Sequence, residues 1–247
     1  MSKMRKTLLR LKLLDAKYDP FFAECMQSTA LYMMKEFNAM YALTQSDEIT
    51  MVLLAKPDTP EFQHIYGGKR DKLVSLAAAD ASVFFMRYFM DRERVLEKGE
   101  LSEVPLFRFD CRMSVWDTER KAMGVLAWRA EDCARNGISD AALHYKKSLS
   151  SKNGREKLEA LSDAGLLPLP EHQAYGSFYT MRHKTVNGRR RKTYARHPLG
   201  VMDFLQNEYQ LEEVVEEVEE VEEVEVPQPS EENQELLPNN PDQTLQD

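Results

Sequence analysis

The stretch "YALTQSDEITMVL", residues 41–53, is the part of the sequence that decides the fold. Residues 41–44 favour a strand, and from Ile49 onward apolar side chains recur at every second position, which predicts a second, largely buried strand. Ser46, Asp47 and Glu48 lie between these runs, so the stretch predicts a hairpin with two adjacent carboxylates at its turn. Such a pair is either a solvated turn or a set of metal ligands at the end of a sheet, and the residues alone leave both interpretations open.

A helix is predicted before this hairpin. Asp19-Pro20 is typical of a helix start, with Asp as the N-cap and Pro in the first turn. An apolar stripe with spacings of three and four residues then predicts a helix as far as residue 37. The members of this stripe are Phe22, Met26, Thr29, Met33 and Phe37.

After the hairpin, residues 56–71 are predicted to form a loop because of their Pro and Gly content. A long helix follows, with a core face predicted to consist of Leu73, Leu76, Ala79, Val83, Met86 and Met90. Residues 106–113, "LFRFDCRM", alternate between apolar and charged side chains and predict a strand. A third helix is predicted from about Thr118 to Asn136, with Gly137 as its C-terminal cap.

The order of these elements predicts an α+β fold. With one strand placed in front, they form β-α-β-β-α-β, a palm-like ferredoxin unit. Residues 176–197 predict a later hairpin that turns at Asn187-Gly188. We expect a palm-like catalytic core in residues 1–115, with its first strand missing or replaced, and a helix and basic hairpin extension of the same domain in residues 116–207. Residues 208–247 are expected to form a disordered acidic tail.

Charge is distributed unevenly along the chain. The formal net charge of −8 includes a segment from Glu208 onward with 15 Asp and Glu and no Lys or Arg. The preceding residues hold all 33 Lys and Arg but 26 of the 41 acidic residues, so that part is basic. A basic body suits an anionic partner such as a nucleotide or a nucleic acid. The acidic segment either shields this body or only aids solubility.

Composition disfavours several classes of protein. The three cysteines, Cys25, Cys111 and Cys133, form no CxxC pair, which argues against a disulfide framework or a zinc knuckle. We expect no apolar stretch of transmembrane length and no signal peptide, and hence a cytoplasmic protein without a membrane partner. No GxxxxGK loop or HExxH motif is present.

Four segments, in their order and spacing, resemble one family. They are residues 41–53, residues 72–89 ("KLVSLAAADASVFFMRYF"), residues 109–112 ("FDCR") and residues 128–136 ("WRAEDCARN"). Together they resemble the tRNA(His) guanylyltransferase family and its tRNA-repairing 3′–5′ polymerase relatives. The resemblance implies a palm-like ferredoxin fold and the addition of nucleotides to the 5′ end of a tRNA. In this reaction ATP activates the 5′-phosphate, and the 3′-hydroxyl of GTP then attacks it.

The resemblance also implies a site for phosphoryl transfer. Two Mg²⁺ ions would clamp the attacking and leaving oxygens. Asp47 would be a metal ligand, with Glu48 as a supporting catalytic carboxylate. Ser46 and Asp47 would lie at the nucleotide, and Lys69 and Lys72 would hold its triphosphate, since Lys is a good point charge for phosphate.

Two groups of residues are candidates for tRNA binding. The first is on the third helix and comprises Arg129, Asp132, Arg135 and Asn136. The second borders the later hairpin turn and comprises Arg189, Arg190, Arg191 and Lys192. A salt-bridged solvent face and a solubilising loop are the alternatives. The motif match favours tRNA contacts or structural support of the site for the first group, and the hairpin favours phosphate contacts for the second. Asp110 either serves the site or only pairs with a neighbouring arginine.

The chain departs from the family pattern at two places. The family's Asp-Gly pair, which supplies the first metal carboxylate at the end of the first strand, has no counterpart here. Residues 7–14, "TLLRLKLL", could replace that strand, with Asp15 as a substitute ligand, or could form a helix. Ala134 follows Cys133, where members that act on tRNA(His) have His, which is closer to the repair-type relatives.

These observations predict a metal-dependent nucleotidyltransferase of tRNA 5′ ends, with GTP and ATP as substrates. The resemblance also implies a homo-oligomer, a tetramer in relatives. The alternative is a catalytically degraded or truncated homologue that binds tRNA or nucleotide only. A nucleotide cyclase, which shares the palm, is disfavoured by the matches in residues 72–89 and 128–136.

Overall fold

The computed structural model describes residues 3–14, 19–55, 63–90, 104, 106–186, 189–198 and 200–207. The helices are α1 (Lys3–Arg10), α2 (Pro20–Phe37), α3 (Arg70–Met90), α4 (Glu119–Tyr145), α5 (Gly154–Asp163), α6 (Glu171–Ala174) and α7 (Val201–Gln206). The strands are β1 (Tyr41–Gln45), β2 (Glu48–Val52), β3 (Ser177–Val186) and β4 (Arg189–Arg196). Mixed helices and an antiparallel sheet confirm the α+β class. The predicted acidic tail, residues 208–247, lies outside the described residues.

Helix α2 forms as the sequence predicts. The carboxylate of Asp19 accepts a hydrogen bond from the amide of Phe21 at 2.9 Å, and Pro20 occupies the first helical position. This cap satisfies one of the amides that the first turn leaves without a helical partner. All five members of the predicted stripe are buried, so the stripe is the face of α2 that packs on the core.

The strands β1 and β2 form the predicted hairpin, with residues 46–47 as a two-residue turn. Tyr41 pairs with Val52 at the open end. Successive side chains of a strand point to opposite faces, and here both faces are covered. Met51 lies on the face that packs against α2 and α3, whereas Leu43 lies on the face that packs against α4 and α7. The hairpin is therefore in the middle layer of three.

The strands β3 and β4 extend the sheet on the other side of β1. The order is β2-β1-β3-β4, and every neighbouring pair is antiparallel. Strand β1 pairs with β3 only at residues 177–180 of β3. The rest of β3 continues with β4 as a two-stranded ribbon that extends beyond Tyr41, the first residue of β1. This confirms the predicted basic hairpin, although its turn, Asn187-Gly188, lies outside the described residues.

Residues 106–113 do not form the predicted strand. They keep the expected alternation, with Phe107 buried and Arg108 exposed, but they form no ladder with any residue that the structure describes. Their apolar side chains pack against α3, and the amide of Phe109 donates to Ser82 Oγ at 2.9 Å. Alternation produces a strand only where a partner strand supplies hydrogen bonds, and β2 is an edge strand in the described part of the sheet.

In the stretch that could have replaced the first strand, residues 7–10 belong to helix α1 and residues 11–14 follow it in a turn. Leu8 is fully buried, and Leu13 and Leu14 are also buried, in one cluster with Phe22 and Phe85. The replacement-strand hypothesis is therefore wrong, and the helical alternative is correct for residues 7–10 only, because the buried leucines pack against α2 and α3 without forming a strand. The candidate ligand Asp15 lies outside the described residues.

Helix α3 buries a different face from the one predicted. Its buried residues are Leu73, Ala77, Ala81, Phe85 and Phe89, whereas Val83 is 68% exposed. The helix is apolar on more than one side, so spacing alone does not identify its core face. By length and composition, α3 would also suffice to cross a membrane, contrary to our expectation that no stretch would. Its buried face packs against α2.

Helix α4 does not end at Gly137, as predicted, but continues to Tyr145. A Cβ atom at Gly137 would lie 2.2 Å from the carbonyl oxygen of Gln173. The glycine therefore permits α6 to pack closely against α4. Its place in the sequence is explained by this contact and not by helix termination.

Candidate functional site

Asp47 lies at the turn that ends the β1-β2 hairpin. The residue before it, Ser46, has a φ of 55°, which residues with a side chain rarely adopt. Its hydroxyl donates to Asp47 Oδ1 at 2.7 Å and so fixes one carboxylate oxygen. Both residues are half-buried. The turn thus presents an oriented carboxylate at the end of a sheet, on a strained backbone of the kind that clusters at functional sites.

The neighbouring carboxylate, Glu48, is held from two sides. It forms an ion pair with Arg129 of α4 and accepts a hydrogen bond from Gln45 Nε2 at 3.5 Å. The Arg129 side chain is 18% exposed and the Glu48 side chain 53% exposed. No ion pair of Asp47 is found within the described residues. Glu48 is therefore neutralised by the protein, whereas Asp47 is the carboxylate that can accept an external cation.

The other motif residues of α4 lie beside this ion pair. Asp132 accepts hydrogen bonds from Arg129 at 3.4 Å and from Asn136 at 3.2 Å, and it pairs with Arg135 at 3.5 Å. The structure therefore joins all four predicted α4 residues in one network that reaches the turn. Arg129 is directed at the hairpin, whereas Arg135, with its side chain 64% exposed, is accessible to a ligand.

Lys69 and Lys72 are not brought to the Asp47 turn. Phe85, late in α3, contacts Phe22 in the first turn of α2, beneath the hairpin turn. Lys72 precedes Phe85 along the helix axis by about 20 Å, at 1.5 Å per residue. Both lysines are exposed at the opposite end of the sheet, so geometry separates them from the carboxylate with which the sequence grouped them.

One face of the β3-β4 ribbon is basic. Lys184 pairs with Arg191, and Arg182 pairs with Thr193. Paired residues, and residues two apart along a strand, share a face, so Arg182, Lys184 and Arg191 lie together, all exposed. Sequence analysis did not single out Arg182 and Lys184, because only strand pairing reveals that they join the later cluster.

The other residues predicted to bind tRNA with Arg191 are not all on its face of the ribbon. Lys192 lies on the opposite face, where its ammonium group donates to Asn38 Oδ1 at 2.6 Å. Arg189 and Arg190 belong to β4, but their side chains lie outside the description. The ribbon continues past Tyr41, away from the Asp47 turn, so it is a separate basic surface.

A small cavity with apolar and polar side chains in its wall lies beneath the turn. Its volume is about 20 Å³, and Gln45, Ser46 and His172 are among the residues that line it. Burial, and secondarily the positive charge of Arg196, lowers the pKa of His172, so its ring is neutral near pH 7. Gln45 lies within the quoted hairpin motif, but no sequence signal marks His172, which reaches the site only through α6.

The donor set at the turn suits one divalent cation. Mg²⁺ binds oxygen ligands and is often held by one or two carboxylates together with phosphate oxygens and water. Asp47 fits this requirement, since its carboxylate is oriented and half-buried. Among the described residues, no group of three or more His, Cys, Asp or Glu side chains could hold a metal. They therefore fit one ion completed by a nucleotide, and they do not complete a two-ion site.

Comparison with known proteins agrees with this geometry. Residues 7–117 match the sequence profile of Thg1, the tRNAHis guanylyltransferase family. An uncharacterised protein of Acanthamoeba polyphaga mimivirus is 31% identical over 144 residues, which cover 53% of this chain and 49% of that protein. The chain thus spans about half the length of this curated relative.

Two solved structures show the same fold. A bacterial tRNA(HIS) guanylyltransferase (Thg1)-like protein in complex with ATP has a TM-score of 0.66 and 20% identity, with 85% of each chain covered. Such a protein in complex with GTP has a TM-score of 0.60 and 20% identity, with 82% of this chain and 83% of that one covered. The profile match includes the hairpin, its carboxylates and α3. Residues 7–117 therefore match the tRNAHis guanylyltransferase family, and the chain shares the fold of two Thg1-like proteins.

Proposed function

We propose that this protein adds nucleotides to the 5′ end of a tRNA in the 3′–5′ direction. The observation that carries the proposal is Asp47, an oriented carboxylate at a hairpin turn inside the segment that matches the family. The 5′-monophosphate attacks the α-phosphorus of ATP and releases pyrophosphate, which leaves an adenylylated 5′ end. The 3′-hydroxyl of GTP then attacks the 5′-phosphorus of the tRNA, and AMP leaves. Ala134, in place of the His of tRNA(His)-specific members, favours a repair-type activity that is not restricted to one tRNA.

In this proposal the chain contributes positioning and charge. A bound Mg²⁺ ion supplies electrostatic stabilisation of the phosphoryl group in transfer. Asp47 would hold this ion together with nucleotide phosphates and water, and Ser46 keeps the carboxylate in orientation. Arg129 neutralises Glu48 and anchors the hairpin to α4, so that the turn does not move when an anionic substrate binds.

The arrangement of basic residues supports a polymeric substrate. The first turn of α3 and the β3-β4 ribbon lie at the end of the sheet opposite Asp47. Five residues of β1 alone span about 17 Å. Contact with both ends at once requires an extended polyanion, so we assign Lys69, Lys72 and the ribbon to tRNA phosphates and not to the triphosphate.

A second candidate function is binding of tRNA or nucleotide without catalysis. The carboxylates favour it, because the described residues can hold one metal ion, whereas the family reaction needs two. Asp15, the substitute considered for the second ion, lies outside the described residues. This alternative predicts Mg²⁺-dependent GTP binding without nucleotide addition.

Nucleotide addition to a 5′-truncated tRNA tests the proposal. The protein should extend this RNA, and Asp47→Asn should reduce the rate by at least about 100-fold, as expected when a metal ligand of a phosphoryl-transfer site is lost. The matched control is Asp163→Asn, at an exposed carboxylate at the end of α5. It should leave the rate unchanged. A rate that survives Asp47→Asn would contradict the assignment.

Two further measurements separate the alternatives. Titration of GTP with and without Mg²⁺ should show metal-dependent binding that Asp47→Ala weakens strongly. If binding behaves in this way but no nucleotide is added, the protein is a binder. If Asp15→Asn abolishes addition, Asp15 supplies the second ligand, whereas full activity in that variant would exclude it.

A further inference from the structure

We propose that one ordered water molecule joins His172 to Gln45 beneath the Ser46-Asp47 turn, and that this link positions the turn. The water site follows from the cavity itself. Its effect on nucleotide affinity rests on the proposed function. Gln45 and His172 are then positioning residues, which act through Glu48 and do not touch the substrate.

The cavity is large enough for a water molecule, and polar side chains are part of its mostly apolar wall. Its volume of about 20 Å³ exceeds the roughly 10–15 Å³ that one water requires. Polar side chains line it together with Phe22 and Met26. Gln27 Nε2 donates to Ser177 Oγ at 2.9 Å, so these two groups already satisfy each other at the wall. The space is therefore sufficient for a water molecule.

Two buried atoms in this cavity need a partner. Gln45 is 6% exposed, yet its Oε1 accepts no hydrogen bond from any described residue. His172 Nε2 is also buried and has no hydrogen-bond partner among the described residues. Buried polar atoms without partners are rare in folded proteins. A neutral imidazole offers one donor and one acceptor nitrogen. A water between the two side chains can donate to the Gln45 oxygen and also bond His172 Nε2, which satisfies both.

Helix α6 holds His172 in place over the cavity. Gly137 allows the carbonyl of Gln173 to approach α4, where a Cβ atom would lie 2.2 Å from that oxygen. Gly176, with a φ of +80°, passes the carbonyl of Thr44, where a Cβ atom would be 2.7 Å away. Two close approaches therefore fix α6 against α4 and against the end of β1. The spacing between His172 and Gln45 is set by the backbone.

Through Gln45, the water reaches the functional turn. The amide has two ends: Oε1 faces the water, and Nε2 donates to Glu48 Oε2 at 3.5 Å. A donor at Oε1 keeps the amide from rotating and so keeps Nε2 directed at Glu48. Glu48 is also paired with Arg129 and is the residue after Asp47. Loss of the water would release one of the two groups that hold Glu48.

The direct test is solution NMR of the full chain with labelled Gln side chains. We expect a cross-relaxation peak between the Gln45 side-chain amide and a long-lived water. His172→Phe should remove this peak and shift the Gln45 amide resonances, whereas His172→Gln, which retains a nitrogen at the Nε2 position, should restore both. The matched control is His144→Phe, at an exposed histidine of α4, which should change neither. Absence of the water peak in the unmodified protein would overturn the proposal.

A second arm measures the dissociation constant of GTP with Mg²⁺ for the same variants. His172→Phe should weaken binding by about tenfold, and His172→Gln should recover most of this loss. If the water is lost but affinity is unchanged, the positioning role is overturned. If the unmodified protein binds no GTP, the proposed function fails, and the NMR result still decides whether the water link exists.

Discussion

Replacement of Arg129 by Met distinguishes a structural role for this arginine from a role in RNA binding. Methionine preserves much of the apolar stem of the side chain but removes the guanidinium. Glu48 and Asp132 would then lose their shared cation. The sequence alone placed Arg129 among the tRNA contacts, whereas the structure directs it at the hairpin turn.

The expected loss of stability is modest and can be estimated from the exposure of the partners. The side chains of Glu48 and Asp132 are 53% and 30% exposed, so solvent screens both pairs. Exposed pairs contribute about 0.2–1 kcal/mol each, and the low exposure of Arg129 itself, 18%, places this site in the upper part of that range. We expect a loss of about 1–2 kcal/mol, which for a domain of this size lowers the Tm by roughly 5 °C.

Thermal unfolding at low and high salt measures this loss, with Arg155→Met as the control for an exposed arginine. A double-mutant cycle with Glu48→Gln should give a coupling energy of about 0.5–1 kcal/mol. If Arg129→Met instead leaves the Tm unchanged and reduces the salt dependence of tRNA binding by about one phosphate contact, then Arg129 is an RNA contact and our reasoning from the ion pair is wrong.

Three other predictions follow from charge and packing. Deletion of residues 208–247 should leave tRNA binding equal or stronger, because the remaining chain is basic. Filter binding should also show a steep dependence of affinity on salt. Weaker binding by the shortened protein would make this segment a recognition element. Gly137→Ala should destabilise the protein by about 2–3 kcal/mol in urea unfolding, because the new Cβ would meet the Gln173 carbonyl. In the control variant Gly124→Ala the Cβ meets nothing within 4 Å, so this change should stabilise the protein by about 0.5–1 kcal/mol. Equal effects of the two substitutions would refute the close contact. Burial raises the pKa of Tyr179 to about 12. Its neutral phenol therefore contributes to the free energy of unfolding below pH 10, and this contribution is lost as the pH rises from 10 to 12. Tyr179→Phe should make stability less dependent on pH in this range, and an unchanged pH dependence would contradict the prediction.

Local patterns in the sequence were sufficient for the elements that need only local information. The cap at Asp19, the apolar stripe of α2 and the hairpin around Asp47 were all predicted correctly, since capping, helical periodicity and tight turns depend on residues close together in the chain. The same motifs also identified the family. They could not locate His172, because no motif in the sequence around it marks a functional residue.

The tertiary structure alone decided the remaining features. Residues 106–113 alternate like a strand but have no partner strand among the described residues, and α3 is apolar on several sides, so only packing selects its core face. Residues 7–14 suited a strand or a helix, and burial against α2 and α3 decided for a helix that ends at Arg10, followed by a turn. Lys72 lies about 20 Å along its helix from Phe85, and Asp47 is near Phe85, so the two predicted site residues are far apart. Arg182 and Arg191 lie on one face only because β3 pairs with β4. Periodicity describes which side of an element is apolar, whereas the position of a side chain relative to a distant one depends on which elements pack together.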